Sequence, residues 1–312
     1  MTTTTTTILL PLALSVFAQD EEALRVHTKL HQRVSPAIVG IRGGGRRGTG
    51  IVISPLGLIL SSTTVAGSRD ETVEVTLKGH KRVRGSIVRR KPELELMLVK
   101  IEAKDVPGVI DLGDSDAVKL GQVSYVLGDS YNSIFTDDQV ALTLGHVSGR
   151  YSVDATQGRS TYKGEVIETS AGVNPNNDGA ALVDATGRLI GMVTMNYHDS
   201  KFTGIAIPVN RLKEDIQAGL APYRTAGWLG LTLEDKGGKI AIAKVAAKGP
   251  AEKGGLKAGD VLVSIGRKPA EGLGPANAQL KACWVGEAVD VEVLREGKKI
   301  KVSLLPEAKD FY

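Results

Sequence analysis

Cysteine is almost missing: Cys283 stands alone among 312 residues, which excludes an internal disulfide or a cysteine-rich metal centre. Its expected role is a buried apolar side chain. Aromatic residues make up only 4% of the chain, which together with its glycine content disfavours a helical bundle. Blocks of one charge sign are scarce as well: 39 basic and 35 acidic residues leave a net charge of +4 with the signs interspersed, so no nucleic-acid partner is implied. Long apolar runs are absent beyond Ile8–Phe17, and that run falls short of the ~20 residues a spanning helix needs.

Glycine is abundant, at 37 residues, and stands beside many Val, Ile and Thr. Short strands joined by tight turns are the expected result. The first 18 residues, a Thr tract and the apolar run, read as a signal peptide with Val16 and Ala18 as the small or branched residues before a cut after Ala18. Retention as an anchor is the alternative. The mature chain is expected to be secreted or periplasmic without a transmembrane span. A helical segment is expected over 19–34, with its helix at Glu21–Arg33. A β-rich domain follows over 35–217, its strands including GTGIVIS, LILSS, TVEVTLK, LELMLVKI, VSYVLG, ALTLGHVSG and LIGMVTM. A closing helix spans Val209–Ala218, with Asn210 as its N-cap. A linker at 218–225 leads to a second unit at 226–306 and a tail at 307–312.

The second unit contains GPAEKGGLKAGDVLVSIGRKP, and with it resembles the PDZ domains appended to secreted proteases of bacterial type. The resemblance implies a carboxylate-binding loop at Trp228, Leu229, Gly230 and Leu231, with an adjacent strand that accepts a peptide by β-augmentation. The opposite wall would be a helix over Pro275–Trp284, with Ala278 and Leu280 lining the pocket. One of Leu229 and Leu231 is expected to face inward and the other outward.

Six segments of the first domain occur in the order of the HtrA-type serine proteases, among them GTGIVISPLGLILSSTTVAG, ELELMLVKI and GVNPNNDGAALVDATGRLIGMVT. The domain therefore resembles that trypsin-like family. The fold class this implies is all-β: a chymotrypsin-like double β-barrel followed by a PDZ domain. The chemistry departs from the family. Where it carries the imidazole base this sequence has Thr64, where it carries the orienting Asp there is Glu95, and where it carries the nucleophilic Ser there is Asp178. The oxyanion-hole Gly is Asn176, a residue that tolerates positive φ.

A hydroxyl has no proton equilibrium near neutrality and cannot replace a histidine. Loss of a triad as a unit costs about a million-fold in turnover. A carboxylate roughly 4 Å from a developing oxyanion opposes it by about 4 kcal/mol at an effective dielectric near 20. A pseudoprotease is expected, binding polypeptide C-termini or exposed strands as a scaffold, holdase or regulator in quality control. Active HtrA-type relatives and self-association are further partners in keeping with the resemblance. The alternative is a residual or unconventional hydrolase using Glu95 and Asp178.

No cofactor and no metal are expected. His27 and His31 share a helix face without a third ligand and read as a solvated face; His80 and His198 read as surface residues, and His146 as partly buried. The run Lys78–Lys91, KGHKRVRGSIVRRK, reads as a solvated basic face.

Overall fold

The computed structural model describes residues 24–154, 162–194, 203–266 and 268–308. The chain divides into two compact units, one running through Gly219 and the other beginning at Leu220. The expected signal segment and His198 lie outside the described residues.

In the first unit, helix α1 (residues 24–34) precedes twelve strands. Strands β1 (Ile38–Gly43), β2 (Arg46–Val52), β3 (Leu58–Ser62), β4 (Thr72–Leu77), β5 (Lys81–Lys91) and β6 (Leu96–Lys100) close a barrel in the order β1-β2-β3-β6-β5-β4. Strands β7 (Val123–Gly128), β8 (Ala141–Val153), β9 (Gly164–Thr169), β10 (Ala181–Asp184), β11 (Leu189–Thr194) and β12 (Gly204–Pro208) close a second one. Helix α2 (Ser133–Asp137) links β7 to β8, and α3 (Val209–Leu220) follows β12. Val, Ile and Leu fill the interiors: β3, β11 and β12 are buried along their whole length. Closure leaves neither sheet with an open edge.

Four expectations are corrected here. Asn210 is not an N-cap: it lies inside α3, where its N–H donates to Ser115 Oγ at 3.0 Å and its amide to Asp114 Oδ1 at 2.7 Å. The expected 218–225 linker is largely helical, because α3 continues to Leu220 and a 3-10 turn follows at Ala221–Tyr223. The basic run is a solvated face only in its first half, where Lys78, Lys81, Arg82 and Arg84 are exposed; its second half is partly buried. Arg89 pairs with Asp215, Lys81 with Asp105 at 2.8 Å, and Arg90 donates to the carbonyls of Gly67 and Asp70. His27 and His31 are not a solvated face either, since α1 packs on the second barrel: His27 Nδ1 lies 2.9 Å from the Tyr125 hydroxyl and His31 Nε2 2.8 Å from the Val140 carbonyl.

The second unit carries β13 (Gly227–Trp228), β14 (Leu231–Lys236), β15 (Lys239–Val245), α4 (Pro250–Lys253), β16 (Val261–Ile265), β17 (Lys268–Pro269), α5 (Leu273–Lys281), β18 (Val289–Arg295), β19 (Lys298–Leu304) and β20 (Glu307–Ala308). Its main sheet runs β14-β15-β16-β18-β19, which leaves β14 at an edge. Leu229, Ile242, Leu262, Val291, Val293 and Cys283 are among its core residues. Burial pushes the Cys283 thiol up to about 11, so it is an inert apolar filler. Asp260 closes the turn before β16: its carboxylate accepts the Lys257 N–H at 2.8 Å and two Arg295 donors at 2.6 and 2.7 Å.

Candidate functional site

The residues matching the triad gather at the seam between the two barrels. At the end of β3 the chain turns through Thr63–Val65, and Ser62 Oγ caps that turn by accepting the Thr64 N–H at 3.2 Å. The Thr64 hydroxyl lies 2.8 Å from the same Ser62 oxygen, so it is engaged with its own neighbour. Glu95 follows a 3-10 turn over Pro92–Leu94 and sits in the left-handed region with φ 48°. Its carbonyl accepts the Thr63 N–H at 2.9 Å, which extends the β3–β6 ladder and sets Glu95 beside the Thr64 turn. The Glu95 side chain is buried, and its Oε2 accepts the Thr194 hydroxyl of β11 at 2.5 Å. The carboxylate therefore bridges the two barrels.

Asp178 comes from the second barrel, on the loop before β10. Asn177 braces that loop: its N–H donates to the Asn174 carbonyl at 3.0 Å, and its Oδ1 accepts the Asn174 N–H at 2.8 Å. Asn176 has φ 73°, so the positive φ admitted by its side chain is the conformation adopted. Gly179 has φ 81°, and a Cβ there would come within 2.4 Å of the Thr49 carbonyl oxygen. Only glycine fits. Thr49 on β2 pins the loop from the other side. Its N–H donates to the Asp178 carbonyl and its hydroxyl to the Asn176 carbonyl, both at 2.9 Å.

Sequence reasoning missed Thr49, Thr194 and Asp129. The Asp129 N–H donates to Thr49 Oγ1 at 2.9 Å, and its Oδ1 accepts the Ile134 N–H at 2.8 Å. The residue is fully buried, and burial pushes its carboxyl up to about 6, against the pull of Arg47. The sequence offered no local signal for it, since an acidic residue closing the apolar strand VSYVLG reads as a turn residue. His80 is exposed, as read from sequence. His146 is exposed too, contrary to the partly buried reading, because its place on β8 faces outward.

In the second unit, the loop between β13 and β14 turns at Gly230, φ 78°. Leu229 is buried and Leu231 also packs against the core, so the expected split is corrected: residues two apart share one face of a strand. The Leu229 carbonyl accepts the Ala251 N–H at 2.9 Å and the Gly230 carbonyl accepts the Ala246 N–H at 2.8 Å. In a trans peptide the N–H points opposite to the C=O. With both carbonyls turned to the scaffold, the amides of Gly230 and Leu231 face the other way. The Trp228 indole lies beside Gly249 and Gly230, bracing the loop on its carbonyl side. On α5, Ala276 is buried, Leu280 packs against the core and Ala278 is exposed.

Comparison with known proteins agrees with this architecture. Residues 48–192 match the trypsin-like peptidase domain and residues 227–305 the PDZ domain. A probable periplasmic serine endoprotease DegP-like of Pseudomonas putida (strain GB-1) is 28% identical over 286 residues, covering 83% of this chain and 56% of that protein. Its counterpart in Chlamydia muridarum (strain MoPn / Nigg) is 28% identical over 274 residues, covering 82% and 53%. The chain thus spans about half the length of these relatives. Among solved structures, the HtrA-type protease AlgW with tripeptide aligns at TM-score 0.53 and 27% identity, covering 89% of this chain and 96% of that one. The serine endoprotease from Yersinia pestis aligns at 0.51 and 25%, covering 91% and 98%. With its two closed barrels and the unit that follows them, the chain is a trypsin-like peptidase domain joined to a PDZ domain, similar in that arrangement to the HtrA-type proteases.

Proposed function

We propose that this chain is a pseudoprotease of the family: it binds polypeptide without hydrolysing it and acts as a scaffold, holdase or regulator in protein quality control outside the cytoplasm. One observation carries the reading. The positions of base, orienting acid and nucleophile hold Thr64, Glu95 and Asp178, and the Thr64 hydroxyl is engaged with Ser62 while Glu95 is committed to Thr194. Neither a hydroxyl nor a carboxylate can relay a proton from an attacking oxygen at neutral pH as an imidazole does. The periplasmic names of the relatives and the leader-like first 18 residues support the location.

Binding falls to the PDZ unit. The amides of Gly230 and Leu231, turned away from the scaffold, are suited to a terminal carboxylate, and the free edge of β14 is suited to the peptide behind it. Peptide-bearing HtrA-type relatives among the aligned structures support this use. The test incubates the full chain with unfolded casein and, separately, with a library of peptides ending in a free carboxylate or an amide. The expected result is no cleavage, with binding that amidation weakens at least tenfold. Cleavage that disappears on Asp178→Ala would overturn the inactive reading, and equal affinity for acid and amide would overturn the carboxylate site.

A further inference from the structure

Asp129 is fully buried, and its side chain is only half satisfied. Oδ1 accepts the Ile134 N–H, capping the start of α2, while Oδ2 has no hydrogen-bond partner among the described residues. Around it the backbone is held in uncommon conformations: Tyr131 has φ 53° and Asn132 φ 68°, adjacent non-glycine residues in the left-handed region. Such positions persist only when neighbours hold them, and they collect at switch regions. Here the restraints are identifiable. The Tyr131 N–H donates to the Pro175 carbonyl at 3.0 Å, the Asn177 amide to Ser130 Oγ at 3.3 Å, and Arg47 Nη1 to Asn132 Oδ1 at 2.8 Å. All three tie the 129–132 turn to β2 or to the loop bearing Asn176 and Asp178.

We propose that Asp129 is a proton-operated latch for the seam: with Oδ2 protonated, the 129–132 turn and the 174–179 loop stay locked together, and loss of that proton releases both. A bare carboxylate oxygen in a dry interior must find a donor or water. The charged group facing it is Arg47 on β2, whereas Thr49 of the same strand, Ile134 on α2, and Asn176 and Asn177 on the opposite loop are uncharged. Arg47 is exposed and free to swing, but its guanidinium now serves Asn132 and lies 5.5 Å from the Phe135 ring centre. Ionised Asp129 therefore competes with Asn132 for Arg47. When Asn132 loses that bond, the left-handed pair loses a restraint, and its links to Pro175 and Asn177 loosen with it. The balance point lies near neutrality, since burial holds the carboxyl near 6. This device needs no catalytic group and would set how firmly the seam is shaped as the surrounding medium acidifies.

The test follows the amides of Tyr131, Ile134, Asn177 and Gly179 in the full chain by NMR from pH 4.5 to 8, with hydrogen exchange alongside. One shared midpoint near 6 is expected, with protection at 130–132 and 176–179 falling at least tenfold above it, after correction for intrinsic exchange. In Asp129→Asn the shared titration disappears. In Arg47→Gln, which leaves Asp129 in place, the midpoint moves up, because the cation that favours the ionised form is gone. Absence of a shared midpoint, its persistence in Asp129→Asn, or a downward move in Arg47→Gln overturns the proposal.

Discussion

Replacing Gly179 with alanine should cost far more than the left-handed backbone alone accounts for, and Gly121 supplies the control. Both glycines have positive φ, 81° and 78°, but a Cβ at Gly121 meets nothing within 4 Å, whereas one at Gly179 meets the Thr49 carbonyl oxygen at 2.4 Å, Ser61 Oγ at 2.8 Å and the Ser62 nitrogen at 2.9 Å. The conformational penalty for alanine is about 1–2 kcal/mol, partly offset by about 0.4–1 kcal/mol from the stiffer unfolded chain. Gly121→Ala should therefore cost about 1 kcal/mol. At Gly179 the Thr49 carbonyl must also move, which endangers the Thr49-to-Asp178 main-chain bond, worth about 1 kcal/mol, and forces repacking of about 1–3 kcal/mol. The expected total is about 3–5 kcal/mol. Urea unfolding followed by far-ultraviolet circular dichroism at neutral pH should move the first-unit midpoint by about 1 M or more, given slopes of about 2–3 kcal/mol/M. Equal costs at the two glycines would refute the close approach of the 174–179 loop to β2 and β3.

Asp129→Asn should change how stability depends on pH. The folded carboxyl titrates near 6 against 3.8 for an ordinary aspartate, a gap of about 2 that corresponds to about 3 kcal/mol. Because the folded value is raised, this stabilisation is complete below 3.8 and is lost as pH climbs through 6, so the variant should gain about 3 kcal/mol on the wild type between pH 4 and pH 7 in parallel denaturant titrations. A constant difference would sink the assignment. Asp260→Asn should destabilise the second unit by about 2 kcal/mol by calorimetry at neutral pH, since it breaks the half-buried, two-donor pair with Arg295. Arg295 holds the Asp260 carboxyl below its usual 3.8, so that stabilisation is present above this value and fades as pH falls beneath it, and the two proteins should converge in acid. Gly230→Ala, at φ 78° with no contact nearer than 3.4 Å, should cost only about 1 kcal/mol of stability yet weaken binding of C-terminal peptides at least tenfold by titration calorimetry. Unchanged affinity would move the ligand site elsewhere.

The barrels could be read from local pattern, because period-two apolar runs closed by Gly, Pro, Asp or Ser determine where strands lie and which faces they bury. Thr64, Glu95, Asp178 and Asn176 were reached by another route, through the resemblance of the segments around them to the HtrA-type proteases. What local pattern cannot encode is the partner that arrives from far along the chain. His27 and His31 read as solvated because the sequence around them is polar, yet their partners Tyr125 and Val140 lie about a hundred residues later. The charges of β5 were offset by Asp105 and Asp215, and Asn210 was drawn from capping by Asp114 and Ser115. Leu229 and Leu231 both turn to the core because residues two apart share a strand face, so the expected split between them does not occur. Asp129 stayed hidden because an acidic residue after a strand reads as a turn, and its burial depends on Thr49 and α2.

Both tryptophans of the chain, Trp228 and Trp284, fall in the C-terminal unit. The first braces the Gly230 loop, and the second forms a bridge with Ala226 and lies 5.3 Å from the Arg224 guanidinium. Selective excitation of indole therefore gives a label-free optical channel to that unit alone, with one emitter beside the loop where a peptide terminus would dock. The barrels are dark in that channel, so their events and those of the PDZ unit can be timed separately in a single sample.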